Sequence, residues 1–122
     1  MANPFVHIEL QTSNLSQAKE FYGTLFDWRL EDMPATQGKT YTMISVGEGT
    51  GGGMLTIPEP NMPTMWLPYI LVDNVEKFTA KAKSLGAKIC KEKTEIANYG
   101  WFSVLQDPSG ATFALWETMS MK

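Results

Sequence analysis

From Val6 to Gln11 apolar and polar residues alternate, Val6, Ile8 and Leu10 against His7, Glu9 and Gln11, which is the period of a half-buried strand with one polar face. The period then changes. Ala18, Phe21, Tyr22, Leu25 and Phe26 recur at steps of three and four, predicting an amphipathic helix that ends near Asp27, with Ser13 and Asn14 as N-cap candidates. Thr40 to Val46 and Met54 to Ile57 read as the strands that follow.

Sixty positions on, the same order returns. Leu67 to Val72 is strand-like, Phe78, Ala82 and Leu85 mark a helical stripe, and Trp101 to Gln106 and Thr112 to Glu117 are further strands. A gapless shift sets Asn14 on Asn74, Leu25 on Leu85, Tyr41 on Trp101 and Leu55 on Leu115. Asp73 to Glu76 fits a capping box, Gly86 a helix stop, and Asp107-Pro-Ser-Gly110 a type I turn. One half is too small to close a core alone, so the halves are expected to pack on each other within a single domain over 1–122, with a cavity between them as the place for a site. Module 1 covers about 1–57, a Pro-rich linker 58–65, and module 2 about 66–122; the linker is a candidate hinge for exchanging halves between subunits.

No apolar run is long enough to span a membrane, and Met1-Ala-Asn-Pro-Phe5 does not read as a signal peptide, so a cytoplasmic location is expected. The formal net charge of −3 argues against nucleic acid and anionic membranes as partners. Cys90 is the one cysteine, which excludes an internal disulfide; burial in a strand is its expected setting, and catalysis is not. Gly47, Gly49 and Gly52 form a G-x-G-x-x-G, but strand and linker follow it where a dinucleotide site needs a helix, so it is set aside.

Asn14-Leu15 opening a helix that carries Phe21-Tyr22 and Leu25-Phe26-Asp-Trp28, then Leu85-Gly86-Ala87, Asp107-Pro108-Ser109-Gly110 and Leu115-Trp116, resembles the glyoxalase/bleomycin-resistance/dioxygenase superfamily, the vicinal oxygen chelate proteins. That resemblance implies an α+β fold: two tandem βαβββ modules forming a curved, cup-shaped mixed sheet with helices outside, usually in a homodimer. It also implies a divalent metal in the cup. The ligand positions it carries over fall on His7, Met54, Leu67 and Ala114, of which only His7 can bind such a cation, so no metal or other cofactor is expected. Glu117 lies on the opposite strand face from Ala114 and does not replace it.

Glu9 and Gln11 share a strand face with His7, which makes His7 and Glu9 the candidate acid and base of a metal-free lyase or isomerase; the plainer reading is a hydrogen-bonded structural histidine. The expected ligand pocket is His7, Glu9, Gln11, Met54, Leu67, Tyr69, Ala114 and Trp116. Of Trp28, Trp66, Trp101 and Trp116, the last is the best pocket candidate, since its parity matches Ala114 while Leu115 faces the helices. Three functions stay open: a glyoxalase-like small-molecule binder or metal-free enzyme acting on a small carbonyl or thiol adduct; a bleomycin-resistance-type sequestering protein for a cationic or aromatic compound; and a dimeric interaction protein that keeps only the fold. Lactoylglutathione lyase chemistry is disfavoured, because it relies on metal stabilisation of an enediolate-like intermediate.

Overall fold

A computed structural model describes residues 2–34, 40–57 and 63–119. Its elements are β1 (Phe5–Thr12), α1 (Leu15–Leu25), β2 (Arg29–Pro34), β3 (Thr40–Ser45), β4 (Gly52–Thr56), β5 (Met65–Leu71), α2 (Val75–Ser84), β6 (Lys88–Ile96), β7 (Gly100–Gln106) and β8 (Thr112–Thr118). The fold is α+β and each half reads β-α-β-β-β, as expected. β2 and β6 were not located in the sequence, because Glu31-Asp32 and Lys91-Glu92-Lys93 break the apolar alternation that identified the other strands.

The chain divides into two compact units, His7–Leu67 and Met1–Val6 with Pro68–Lys122. In the first, the strands run β2-β3-β4-β1, antiparallel except for the parallel pair β1 and β4. Its core is Leu10, Ile44 and Met54, packed against Leu15, Ala18 and Tyr22 of α1 and against Trp28, Leu30 and Trp66. Thr42, fully buried in the middle of β3, donates to Asp32 Oδ1 at 2.8 Å, and Lys19 of α1 pairs with the same carboxylate at 2.8 Å.

The second unit repeats this plan as β5-β8-β7-β6, with β5 and β8 parallel. Val72, Val75, Leu105 and Leu115 form its core with Phe78 and Ala82 of α2 and with Trp101. Leu115 therefore faces the helix, as its parity predicts. The Leu71 amide donates to Pro4 O at 2.9 Å, so the start of the chain is hydrogen-bonded into this unit.

Both helices are capped by the asparagines that the repeat aligns. Asn14 accepts from Gln17 N at 3.0 Å and Asn74 from Lys77 N at 2.9 Å. The expected capping box from Asp73 to Glu76 does not form, because the cap is one residue later; the Val75 amide is instead taken by Glu117 Oε1 at 2.9 Å. α2 stops at Gly86, whose φ of +102° lets Ala87 N return to Ala82 O at 3.0 Å. The turn at Asp107 closes through Gly110 N to Asp107 O at 2.9 Å. Cys90 is exposed, not buried as its solitude suggested, because β6 is an edge strand with little packed over it. Most of the Pro-rich segment, 58–62, lies outside the described residues. Among the described residues no helix is long and apolar enough to cross a membrane.

Candidate functional site

The ladder registers fix which residues of the two units correspond. In β1 and β4 the pairs are Glu9 with Gly53, Leu10 with Met54 and Gln11 with Leu55. In β5 and β8 they are Tyr69 with Ala114, Ile70 with Leu115 and Leu71 with Trp116. The first strands thus keep the sixty-residue offset, but the last strands are offset by one more. Met54 corresponds to Leu115, not Leu55, and by the same offset Tyr41 corresponds to Phe102, not Trp101.

Because strand side chains alternate, that one residue decides which face a side chain takes. Met54, expected in the pocket, is fully buried on the helix side with Leu10 and Ile44. The β4 residue that shares a face with Glu9 is Gly53. Its place is filled from β3: a Cβ on Gly53 would collide with the Oη, Cε2 and Cζ atoms of Tyr41. The absence of a side chain at Gly53 is what lets the Tyr41 ring lie across the sheet and reach β1.

There Tyr41 joins a continuous polar row. Its hydroxyl donates to Glu9 Oε1 at 3.0 Å, and Gln11 Nε2 donates to Glu9 Oε2 at 3.0 Å. His7 Nε2 is 2.7 Å from the same Tyr41 oxygen. Since the one phenolic proton is committed to Glu9, His7 Nε2 carries the proton in that contact and donates it to Tyr41. Burial holds the His7 pKa below its ordinary value, which favours the neutral ring. Glu9 is 7% exposed and Gln11 6%, and among the described residues Gln11 Oε1 is buried without a hydrogen-bond partner. The alternation of β1 revealed His7, Glu9 and Gln11; Tyr41 was missed, because its role depends on a glycine twelve residues away on the neighbouring strand.

The corresponding strand face of the second half of the chain is apolar. Leu67, Tyr69, Leu71 and Phe102 stand where His7, Glu9, Gln11 and Tyr41 stand in the first. Tyr69 packs on Phe102 with centroids 6.1 Å apart, Ala114 is fully buried, and Trp116 donates through Nε1 to Thr118 Oγ1 at 3.1 Å. Trp28 and Trp66 belong to the first unit's core around Tyr22, and Trp101 to the second unit's core, so of the four tryptophans only Trp116 lies on a face turned from its helix.

These residues do not fit a divalent metal. Of the positions that the family uses as ligands, His7 offers one nitrogen, and Met54, the Gly53 that truly occupies the face, Leu67 and Ala114 offer no suitable donor. Among the described residues no three His, Cys, Asp or Glu side chains gather. What the row can do is accept and pass protons: a carboxylate out of bulk water, a phenol on it, and a neutral imidazole behind the phenol.

Comparison with known proteins agrees with this architecture. The model of the Glyoxalase/Bleomycin resistance protein/Dioxygenase superfamily matches residues 5–115. A Mycobacterium tuberculosis protein that carries a provisional glyoxylase name, CFP32, is 32% identical over 107 residues, covering 88% of this chain and 41% of that protein. The anthracycline biosynthesis protein DnrV of Streptomyces peucetius is 21% identical over 122 residues, covering 88% of this chain and 44% of that protein. The chain thus spans less than half the length of these relatives. Among solved structures, hypothetical protein BH1468 of Bacillus halodurans superposes with a TM-score of 0.74 at 18% identity, covering 100% of this chain and 99% of that one. Methylmalonyl-CoA epimerase of Mycobacterium tuberculosis superposes with a TM-score of 0.69 at 14% identity, covering 95% and 88%.

Proposed function

The chain belongs to the glyoxalase/bleomycin resistance/dioxygenase superfamily, and from that premise we propose that it binds a small carbonyl compound and moves a proton on it without a metal. One observation carries the reading: Glu9 is buried and gripped on one oxygen by Tyr41 and on the other by Gln11, with His7 behind Tyr41. In this reading Glu9 takes the proton from the carbon next to the carbonyl, Tyr41 and His7 hold the carboxylate and steady its charge, and Gln11 orients it.

Deuterium uptake tests this. In heavy water, the carbon next to the carbonyl of one or more small 2-hydroxy aldehydes, 2-oxo acids or acyl thioesters exchanges faster with the protein than without it, by mass spectrometry. Glu9→Gln loses about 10²–10⁴-fold of that rate, the usual contribution of a positioned base. No catalysed exchange with any of the three classes overturns the chemistry, and full exchange in Glu9→Gln overturns the assignment of the base.

A homodimer is part of the same reading. Phe21, Leu25 and Phe26 of the α1 region are 56%, 57% and 45% exposed, and two open hollows of about 590 and 260 Å³ lie against α1, both lined by Gln17 and Phe21. An apolar face of this kind is supporting ground for a second copy. Light scattering gives a dimer for the native chain and a monomer for Phe21→Lys with Leu25→Glu; a native monomer removes the claim. A cytoplasmic location accords with Cys90, a free thiol at the surface.

A further inference from the structure

The sixty-residue repeat sets the outward stripes of the two helices side by side, position by position. On α1 the stripe is Gln17, Glu20, Phe21, Thr24 and Leu25, all exposed, and these residues line the hollow of about 590 Å³. On α2 and its C-cap the same steps give Lys77, Ala80, Lys81, Ser84 and Leu85, again all exposed. Leu25 and Leu85, which the repeat aligns, are 57% and 68% exposed, so each half keeps a bare leucine at the same place. Lys81 stands where α1 has Phe21, so packing of the helix on its sheet does not demand an aromatic there. The charges of the stripes are opposite in sign. Glu20 is the charged residue of the α1 stripe, whereas Lys77 and Lys81 flank Ala80 on α2. Among the described residues none of these three side chains makes an ion pair, while Lys19, the cation next to Glu20 in sequence, is held by Asp32 at 2.8 Å.

We propose that α1 of one copy packs on α2 of a second copy. This rests on the reading of the chain as a homodimer and names the surface that covers α1. Ala80 leaves room for the Phe21 ring, the aliphatic stems of Lys77 and Lys81 cover it, and their ammonium groups reach Glu20. Pairing of like stripes lacks this fit. An α1 stripe on its own copy brings Glu20 towards Glu20 with no cation of the stripe between them, and an α2 stripe on its own copy sets Lys77 and Lys81 against themselves. An exposed ion pair adds little affinity, so Phe21, Leu25 and Leu85 supply the attraction and the charges decide which helix meets which. By two-fold symmetry the contact forms twice, α1 of each copy on α2 of the other, and the assembly closes as a dimer.

Charge reversal tests the pairing, with the dimer dissociation constant read by sedimentation velocity over a dilution series. Glu20→Lys and Lys81→Glu each weaken the dimer about tenfold, because each sets like charges together in both contacts. Combined in one chain, the two changes return the affinity to within about threefold of native, the mark of two groups that meet. Circular dichroism checks that each variant is folded, and Lys77→Glu takes the place of Lys81→Glu if that chain does not fold. A native dimer whose affinity is untouched by both Lys81→Glu and Lys77→Glu overturns the proposal, and so does a combined variant as weak as the two single losses together; in either case the homodimer reading stands. A native chain that sediments as a monomer removes both.

Discussion

The Tyr41 ring lies over the Cα of Gly53, and through that overlap a β3 side chain reaches the carboxylate of Glu9 on β1, two strands away. The polar row exists only while position 53 is empty of side chain.

Gly53→Ala is accordingly the most economical way to disable the row. The added methyl meets the outer part of a tyrosine side chain, not backbone, so the ring swings aside and the fold survives with a loss of about 1–3 kcal/mol. Chemical denaturation measures that loss, and Tyr41→Phe gives the comparison: both variants should lose the same catalysed deuterium exchange, although only one touches the sheet.

Met54→Ala should behave in the opposite way. Met54 is fully buried against Leu10 and Ile44, so truncation leaves a cavity and costs about 2–5 kcal/mol in urea unfolding. Ligand response in the folded fraction should stay at the native level; loss of binding with native stability would return Met54 to the pocket.

His7 makes stability depend on pH. Its pKa is lowered by burial, so the unfolded chain takes up a proton near its ordinary value of about 6.5 while the folded chain does not. The stability conferred by neutral His7 is present above that value and is lost as the pH falls through it. Stability curves between pH 7.5 and 5.5 should therefore slope downward towards acid in the native chain and flatten in His7→Gln.

Glu117 caps α2 by accepting the Val75 amide. Glu117→Ala removes the acceptor for the Val75 amide and a negative charge from the helix N-terminus, a cost of about 1 kcal/mol, while Glu117→Gln keeps the hydrogen bond and loses less. Thermal unfolding orders the three proteins; an unchanged Glu117→Ala would show that the cap contributes nothing.

The fold was legible in the sequence because its strongest signals are local. The alternation of Val6 to Gln11 gave β1 and its polar face, and Asn14 marked the first helix start, while the second was placed one residue early, at Asp73 instead of Asn74. Three of the four members of the polar row came from that one alternation. The fourth did not, since nothing near Tyr41 in sequence shows that it crosses a glycine to meet Glu9. β2 and β6 were missed for a related reason: their charged residues lie on edge strands, whose pairing partners make them strands without help from an apolar pattern. The misplacement of Met54 came from counting the repeat without a gap. Helices tolerate an error of one position in such a count, but strands do not, because the next residue always points the other way.

The extra residue of the second half also limits how the halves can be recombined. If β8 were transplanted in place of β4, a splice that sets Leu115 on Met54 would carry Ala114 onto Gly53 and Trp116 onto Leu55, keeping the apolar side of the strand against α1. A splice made at the simple sixty-residue count would set Leu115 on Leu55 and turn the transplanted strand inside out. Duplicated in this way, the two halves are no longer interchangeable parts: each strand carries a phase as well as a sequence, and only exchanges that conserve the phase yield a folded chain.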